Sequence, residues 1–230
     1  MFFKNLIKQY PQFIFATNII QQIYSIRDKF KKSDLYLIDA ACGNGETTYE
    51  FSKLTSINVE GYDIEEKSIK LAKKKYFKHN LVFKTDDIFN VFESKKNVDF
   101  ICLINSFFLL PNRKTLLRLM HNALNDDGHV FFIIPNIQGI NYINFKKKHS
   151  DVNLIELTLT EFSQTLQDNY FEPIYSKGIC YANIYGRKEL KYLSIFSPIY
   201  LTILNYFWSF FKIGTPSYYL VMAKKIYEKN

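Results

Sequence analysis

The chain is predicted to fold as an α/β protein around a mostly parallel sheet, and three observations carry that expectation. Short Val/Ile/Leu/Phe runs alternate with helical patterns at the spacing of β-α-β units. These runs are apolar along their whole length rather than at every second residue, as in strands covered on both faces. The first run ends in a glycine turn that opens a helix, Leu37-Ile38-Asp39-Ala40-Ala41-Cys42-Gly43-Asn44-Gly45-Glu46. A strand, a glycine turn and a helix start together make a nucleotide cradle. Small residues let a ligand approach the backbone, and the helix start offers unpaired N–H groups.

Taken in order, Pro11–Phe30 carries Ile14, Phe15, Ile19, Ile23, Tyr24 and Ile26 at roughly helical spacing. It is read as one or two helices in an N-terminal extension over residues 1–33. The strands are expected at Leu35–Asp39, Val59–Asp63, Asn80–Lys84, Val98–Ile104 and His129–Pro135. Helices lie between them at Glu46–Leu54, Glu65–Lys78 and Asn112–Leu124, and Asp126-Asp127-Gly128 is a turn signal before the fifth strand. Right-handed crossovers then make these five strands parallel. A further helix is expected over Thr160–Asn169. Phe171–Cys180 and Tyr218–Lys224 read as two final strands, separated by a helical insertion over 181–214. No repeat or linker interrupts the chain, so one domain is expected, with its core in 34–180 and 215–226.

A chain of 230 residues with 47% hydrophobic content can bury one full core, which excludes a disordered class. The net charge of +8 permits contact with nucleic acid or an anionic membrane without demanding it. Lys, Asn, Ile, Phe and Tyr all have AT-rich codons, so part of the basic and aromatic excess is read as coding bias. Cys42, Cys102 and Cys180 stand apart, with neither zinc nor disulfide spacing. No metal is expected. The Met1-Phe2-Phe3-Lys4 opening lacks the pattern of a secretory signal, and the expectation is a reduced, cytoplasmic setting.

The turn departs from the dinucleotide fingerprint. Thr48 stands where a third glycine belongs, and that fingerprint does not ask for an acid such as Asp39. An acid here can hold a cationic or amino-acid group. The segment resembles the first motif of the class I S-adenosylmethionine-dependent methyltransferases, with Ala41 where that family more often has glycine. The resemblance implies a seven-stranded Rossmann-like sheet with helices on both faces and an antiparallel final pair. It also implies S-adenosyl-L-methionine as cofactor, its amino-acid end near Asp39, Ala41, Gly43 and Gly45. Asp63 lies about 24 residues beyond Asp39, where a carboxylate can accept both ribose hydroxyls. On the residues alone, Asp63 equally fits a cap for the helix that follows. The family places an acid after the third strand to accept from the adenine amino group. Asp86 aligns better and Asp87 is its neighbour, although a solvated turn pair reads the same. The adenine would lie between Ile64 and the Asp86–Ile88 turn. Asn105, followed by Ser106, Phe107 and Phe108, would border the methionine moiety, the alternative being plain packing at a helix start.

A sulfonium methyl is already activated, so the chemistry asks chiefly for positioning and a dry site. A hydroxyl acceptor also needs a base. His79 and His129 precede strands, on the wrong edge of the sheet, and His121 lies within a helix. His149, beyond the fifth strand, is the candidate catalytic base, against a solvated loop histidine in a basic run; Tyr142 is the weaker choice. No Asn-Pro-Pro-Tyr-like box occurs, which counts against nucleobase N-methylation. Lys67, Lys70, Lys73, Lys74, Lys75 and Lys78 suit a solvated helix face, so nucleic acid is disfavoured as a partner. In the insertion, Ser197-Pro198 reads as a helix start and Gly214 with Pro216 as its stop. At roughly 1.5 Å per residue this helix is about 24 Å long, too short to span a ~30 Å hydrocarbon core. Its apolar stripe fits a lid, a membrane-surface element, a homodimer face or ordinary burial, and Arg187, Lys188 and Lys191 would suit anionic headgroups. The expected function is methyl transfer to a small-molecule or lipid-linked acceptor, at oxygen. RNA or protein methylation and a non-catalytic partner subunit are the alternatives.

Overall fold

The computed structural model describes residues 2–30, 33–148, 156–180 and 215–227. Seven strands form one sheet: β1 (Leu35–Ala40), β2 (Ile57–Asp63), β3 (Leu81–Thr85), β4 (Val98–Ile104), β5 (Leu124–Pro135), β6 (Phe171–Ile179) and β7 (Tyr218–Lys225). Their order across the sheet is β3-β2-β1-β4-β5-β7-β6. The first five are parallel, and β7 runs antiparallel to both β5 and β6. The order reverses between β1 and β4, so the chain leaves these neighbours in opposite directions and opens a crevice at their carboxyl ends.

The helices are α1 (Phe2–Ile26), α2 (Glu46–Phe51), α3 (Glu66–Lys75), α4 (Ile88–Ser94), α5 (Arg113–Ala123), α6 (Ile140–Lys148) and α7 (Leu159–Gln167). Successive strand residues face opposite sides of a sheet, and here both sides are apolar. Leu37, Phe100 and Phe131 share one core with Phe15, Ile19 and Ile23 of α1, Phe51 of α2 and Ile69 of α3. Their neighbours Ile38, Ile101 and Phe132 share the other with Phe92 of α4, Met120 of α5 and Phe162 of α7. That double burial explains the uninterrupted apolar runs. Local signals set the helix ends where they are strong. In α7, the Thr158 Oγ1 accepts from Glu161 N at 3.2 Å, while Thr158 N donates to the Glu161 carboxylate at 2.8 Å.

Several bounds differ from expectation. α1 begins at Phe2 and ends at Ile26, followed by a short 3-10 turn over Arg27–Lys29. α2 and α3 each stop three residues early. α4 was not anticipated; its buried positions Ile88, Val91 and Phe92 form one stripe, but seven residues are too few for a clear helical period. β5 starts at Leu124 rather than His129. Leu124 pairs with Val98 and His129 with Phe100, so Asp126-Asp127-Gly128 forms an irregularity inside the strand rather than a turn before it. The run Asn144–Lys148, read as loop, belongs to α6. His149, the 181–214 insertion and the Ser197–Ile213 helix expected within it lie outside the described residues. Among the described residues, no helix is long and apolar enough to cross a membrane.

Candidate functional site

The turn leaving β1 is built from left-handed backbone. Ala41 has φ 56°, Gly43 55° and Gly45 77°. Cys42 N donates to Tyr62 O at 2.9 Å and Gly45 N to Cys42 O at 3.1 Å, which ties the turn to β2. The two glycines answer different needs. A Cβ on Gly45 would stand 2.6 Å from the Phe83 ring and 3.0 Å from the Ala72 Cβ, so close packing on β3 and α3 excludes any side chain. A Cβ on Gly43 would meet nothing within 4 Å. The space over Gly43 is therefore open, on the side a ligand would approach. Ala41 occupies a left-handed position although only glycine adopts it without strain; size alone makes alanine look harmless there, and the cost is conformational.

Two carboxylates frame the turn. Asp63 Oδ2 accepts from Gly43 N at 2.7 Å and Oδ1 from Glu65 N at 2.9 Å. Each oxygen keeps a second lone pair, so the group can still accept from two hydroxyls. Asp63 thus holds the Gly43 and Glu65 N–H groups without capping α3, whose N-cap Glu65 has no side-chain cap, and it retains capacity for a ribose. Asp39 is only 1% exposed, and its Oδ2 accepts from Thr48 Oγ1 at 2.6 Å. Burial pushes the Asp39 pKa up to about 7; the Thr48 hydrogen bond opposes this and the neighbouring Asp63 adds to it. Thr48, read in the sequence only as a missing glycine, is the residue that holds this buried acid.

The remaining expected residues divide. Ile64 is 72% exposed beside Asp63, an apolar surface free for a flat ring. Asp86 is exposed, with N donating to Asp63 O at 3.1 Å and Oδ1 accepting from Asp87 N at 2.8 Å. Asp87 caps α4, accepting from Phe89 N at 2.9 Å, so its carboxylate is engaged as a helix cap. The Ile88 side chain is buried in the second core, and only its backbone faces the turn between β3 and α4. At the end of β4, Asn105 turns left-handed (φ 56°) and donates its N–H to Ile133 O at 2.9 Å. Its Oδ1 and the Ser106 Oγ are buried without hydrogen-bond partners among the described residues. Phe107 is core, packed edge-on against Phe132 and Phe162 at 5.5 and 5.2 Å; for this residue the packing alternative holds.

Behind the site, Glu60 is a junction that sequence patterning does not reveal. It accepts from Tyr36 Oη at 2.6 Å, Lys95 Nζ at 2.7 Å, Lys84 Nζ at 3.0 Å and the Tyr62 hydroxyl. Burial opposes its ionisation, but these donors outweigh it and hold the pKa down at about 2. The cluster ties together β1, β2, β3 and the residue after α4. His129 and His121 lie elsewhere. His129 is buried in β5 beside Phe30, with burial lowering its pKa to about 4, and His121 Nε2 lies 2.8 Å from Ile226 O. Among the described residues, no group of three His, Cys, Asp or Glu side chains could hold a metal.

An acceptor carboxylate with spare lone pairs, an open glycine, an exposed isoleucine and an orphaned buried amide oxygen fit a nucleoside bearing a polar tail. Comparison with known proteins agrees with the architecture. No curated protein matches the chain. Among solved structures, a SAM-dependent methyltransferase from Archaeoglobus fulgidus superposes with TM-score 0.61 at 17% identity, over 91% of this chain and 94% of that one. The plantazolicin methyltransferase BpumL, solved with SAH, gives TM-score 0.63 at 20% identity, over 98% and 88%. The geranyl diphosphate C-methyltransferase of Streptomyces coelicolor A3(2), solved with S-adenosyl-L-homocysteine, gives 0.60 at 13% identity, over 90% and 76%. At these identities the likeness is one of fold. The family model described as a methyltransferase domain matches residues 31–193, more than two thirds of the sequence, and the chain belongs to that family.

Proposed function

We propose that the protein is an S-adenosyl-L-methionine-dependent methyltransferase acting at oxygen on a small-molecule or lipid-linked acceptor. The observation that carries this reading is the open space over Gly43 beside an Asp63 carboxylate that retains two acceptor positions. The bound cofactor would supply a methyl group already activated on a sulfonium. This chain's residues bind, orient and keep the site dry. Asp63 holds the ribose, Ile64 lies along the adenine, and Asp86 accepts from the adenine amino group with the Asp87–Ile88 backbone beside it. The amino-acid end rests on the Ala41–Gly45 turn, with Asp39 supplying negative potential from below. Asn105 Oδ1 takes a donor from the methionine moiety, which relieves a buried acceptor that has no partner among the described residues.

Transfer to a hydroxyl also removes a proton, and His149 is the base proposed for it. An apolar acceptor is supported by the sequence between Ser197 and Phe211, which contains no charge. Among the relatives, the Streptomyces enzyme is named for methylating geranyl diphosphate, a small acceptor with an apolar tail. Calorimetric titration with S-adenosylhomocysteine tests the cofactor site. Asp63→Ala should weaken binding by about 30-fold or more, from the loss of two hydrogen bonds to a charged group, with circular dichroism unchanged. Unaltered affinity in a folded variant would overturn the assignment. Mass spectrometry of extracts incubated with protein and cofactor, searching for species that gain one methyl, identifies the acceptor.

A further inference from the structure

Two further side-chain oxygens share the condition of Asn105 Oδ1. Ser106 Oγ and Gln12 Oε1 of α1 are likewise buried without a hydrogen-bond partner among the described residues. Ser106 is 9% exposed and precedes the 3-10 turn Phe107–Leu109, which its side chain does not cap. It stands next to Asn105 at the end of β4.

The contacts of α1 place Gln12 over the same strand ends. Phe15 meets the Tyr218 ring edge-on at 5.0 Å, and Tyr218 pairs with Pro135 at the carboxyl end of β5. Beyond the other end of α1, Phe30 meets Phe100 and His129 at 5.0 and 5.9 Å, towards the amino edge. The helix therefore descends from the carboxyl edge, and Gln12 lies about 4.5 Å above Phe15. Rotation about the axis is fixed as well. One flank faces the final strand pair, through Phe15 and through Lys177 Nζ of β6, which donates to Asn18 Oδ1 at 3.4 Å. Gln12 lies on a different line, with Ile19 and Ile23 seven and eleven residues on. Those two are buried in the core built on Phe100 and Cys102 of β4 and on Phe131 and Ile133 of β5. Gln12 thus faces the tips of β4 and β5, where Asn105 N donates to Ile133 O at 2.9 Å. α1 also packs against α2, which starts at the glycine turn, so that turn lies alongside.

Buried oxygens without partners cost stability, and three at one edge call for a common donor. An ammonium carries three N–H donors and no acceptor, the complement of three oxygens. Asp39, paired with Cys102 on the neighbouring strand, adds negative potential beside them. We propose that Gln12 Oε1, Asn105 Oδ1 and Ser106 Oγ form a pocket for the α-ammonium at the methionine end of the cofactor. The proposal rests on the cofactor reading above and extends it to Ser106 and to a helix outside the glycine turn. Each oxygen takes one N–H, which fixes the tail and, through it, the direction in which the sulfonium presents its methyl group. An amine on the acceptor has the same donors, and the choice of probes separates the two.

Calorimetry on the full chain compares S-adenosylhomocysteine with its deamino analogue, in which hydrogen replaces the amino group and the adenosine, thioether and carboxylate remain. The wild type should prefer S-adenosylhomocysteine by about 30-fold or more. Gln12→Met keeps the side-chain length and deletes the oxygen. It should weaken S-adenosylhomocysteine by about tenfold and leave the deamino analogue unchanged. The ligand-free thermal midpoint should hold or rise, because an unpaired buried oxygen is gone. Ser106→Ala should behave in the same way. Asp63→Ala, by contrast, should weaken both compounds alike, since both carry the ribose. Equal affinity of the wild type for the two compounds would overturn the proposal and leave the three oxygens to an acceptor amine. A Gln12→Met variant that keeps its affinity for S-adenosylhomocysteine, or that weakens both compounds equally, would also overturn it, with the cofactor reading intact. Failure of the wild type to bind S-adenosylhomocysteine at all would overturn both.

Discussion

Replacing Asp39 by asparagine should make the ligand-free protein more stable at neutral pH. Asp39 is buried, and its pKa stands at about 7 against 3.8 for the free side chain. Between those two values the folded state binds a proton that the unfolded chain does not. A folded pKa raised in this way means that stability falls as pH rises from about 4 to about 7, and is level above that. The gap corresponds to on the order of 4 kcal/mol. Asparagine cannot ionise, yet its side-chain oxygen can still accept from Thr48 Oγ1, so the hydrogen bond at 2.6 Å survives. His129, whose pKa burial lowers to about 4, adds stability to both proteins as pH rises towards 6.5, so the readout is the difference. In urea denaturation without cofactor, Asp39→Asn should pull away from the wild type between pH 5 and about 7 and keep its lead to pH 8. The variant should lead by a few kcal/mol at pH 8, with 4 as the ceiling. Glu60 does not blur this window: its pKa is depressed from 4.5 to about 2, so its contribution is complete above 4.5 and is lost only in stronger acid. Cofactor affinity should move the other way, since a cationic ligand loses the negative potential beneath the turn. Parallel pH profiles for the two proteins would refute the buried-charge reasoning.

Gly45→Ala should cost about 3 kcal/mol in urea denaturation, from a Cβ 2.6 Å from the Phe83 ring and the left-handed backbone together. Gly43→Ala meets no atom in the protein and should cost only about 1 kcal/mol, but it should weaken S-adenosylhomocysteine binding in calorimetry because it fills the open space. Ala41→Gly relieves a φ of 56° and should raise stability by up to about 1 kcal/mol, measurable as a shifted urea midpoint at constant slope. Glu60→Gln should cost about 1 kcal/mol at pH 7 after allowance for solvent screening. That deficit should shrink as pH falls from 4.5 through about 2, where the wild-type carboxylate itself is lost.

The strands were legible because burial on both faces removes polar positions from them; Val98–Ile104 is read from sequence with the bounds the structure has. α4, seven residues long, carried too little period to be read, whereas the still shorter α2 was read from the glycine turn that opens it. The absence of α4 from the reading had a chemical consequence. Without a helix at Ile88, Asp86 is preferred over Asp87 by alignment alone; with it, Asp87 is the cap and Asp86 is the exposed carboxylate. Ile64 and Ile88 illustrate a different limit. Both are isoleucines next to a strand-end acid, yet one is exposed and the other is core, and no local pattern distinguishes a side chain facing outward from one facing the interior. Thr48 reaches Asp39 nine residues back across the glycine turn, and Glu60 reaches Tyr36 and Lys84, each 24 residues away, only because β1, β2 and β3 pair in parallel.

The location of the crevice is written in the backbone as well as in the motif. β1 and β4 are the neighbours between which strand order reverses, and each exits through a non-glycine left-handed residue, Ala41 and Asn105, both at φ 56°. The outer strands β2 and β3 exit through Ile64 and Asp86, which have no such strain. Left-handed backbone on alanine costs on the order of 1 kcal/mol and persists only where the surroundings enforce it, whereas asparagine tolerates it. At Asn105 the cost is instead a buried Oδ1 that lacks a partner among the described residues. Neither cost is needed to end a parallel strand, as β2 and β3 demonstrate. A strained Ala41 and a buried, unpartnered Asn105 amide oxygen therefore stand together at the ends of the two strands that flank the reversal, whereas the left-handed Cys180 that ends β6 stands alone at the far side of the sheet.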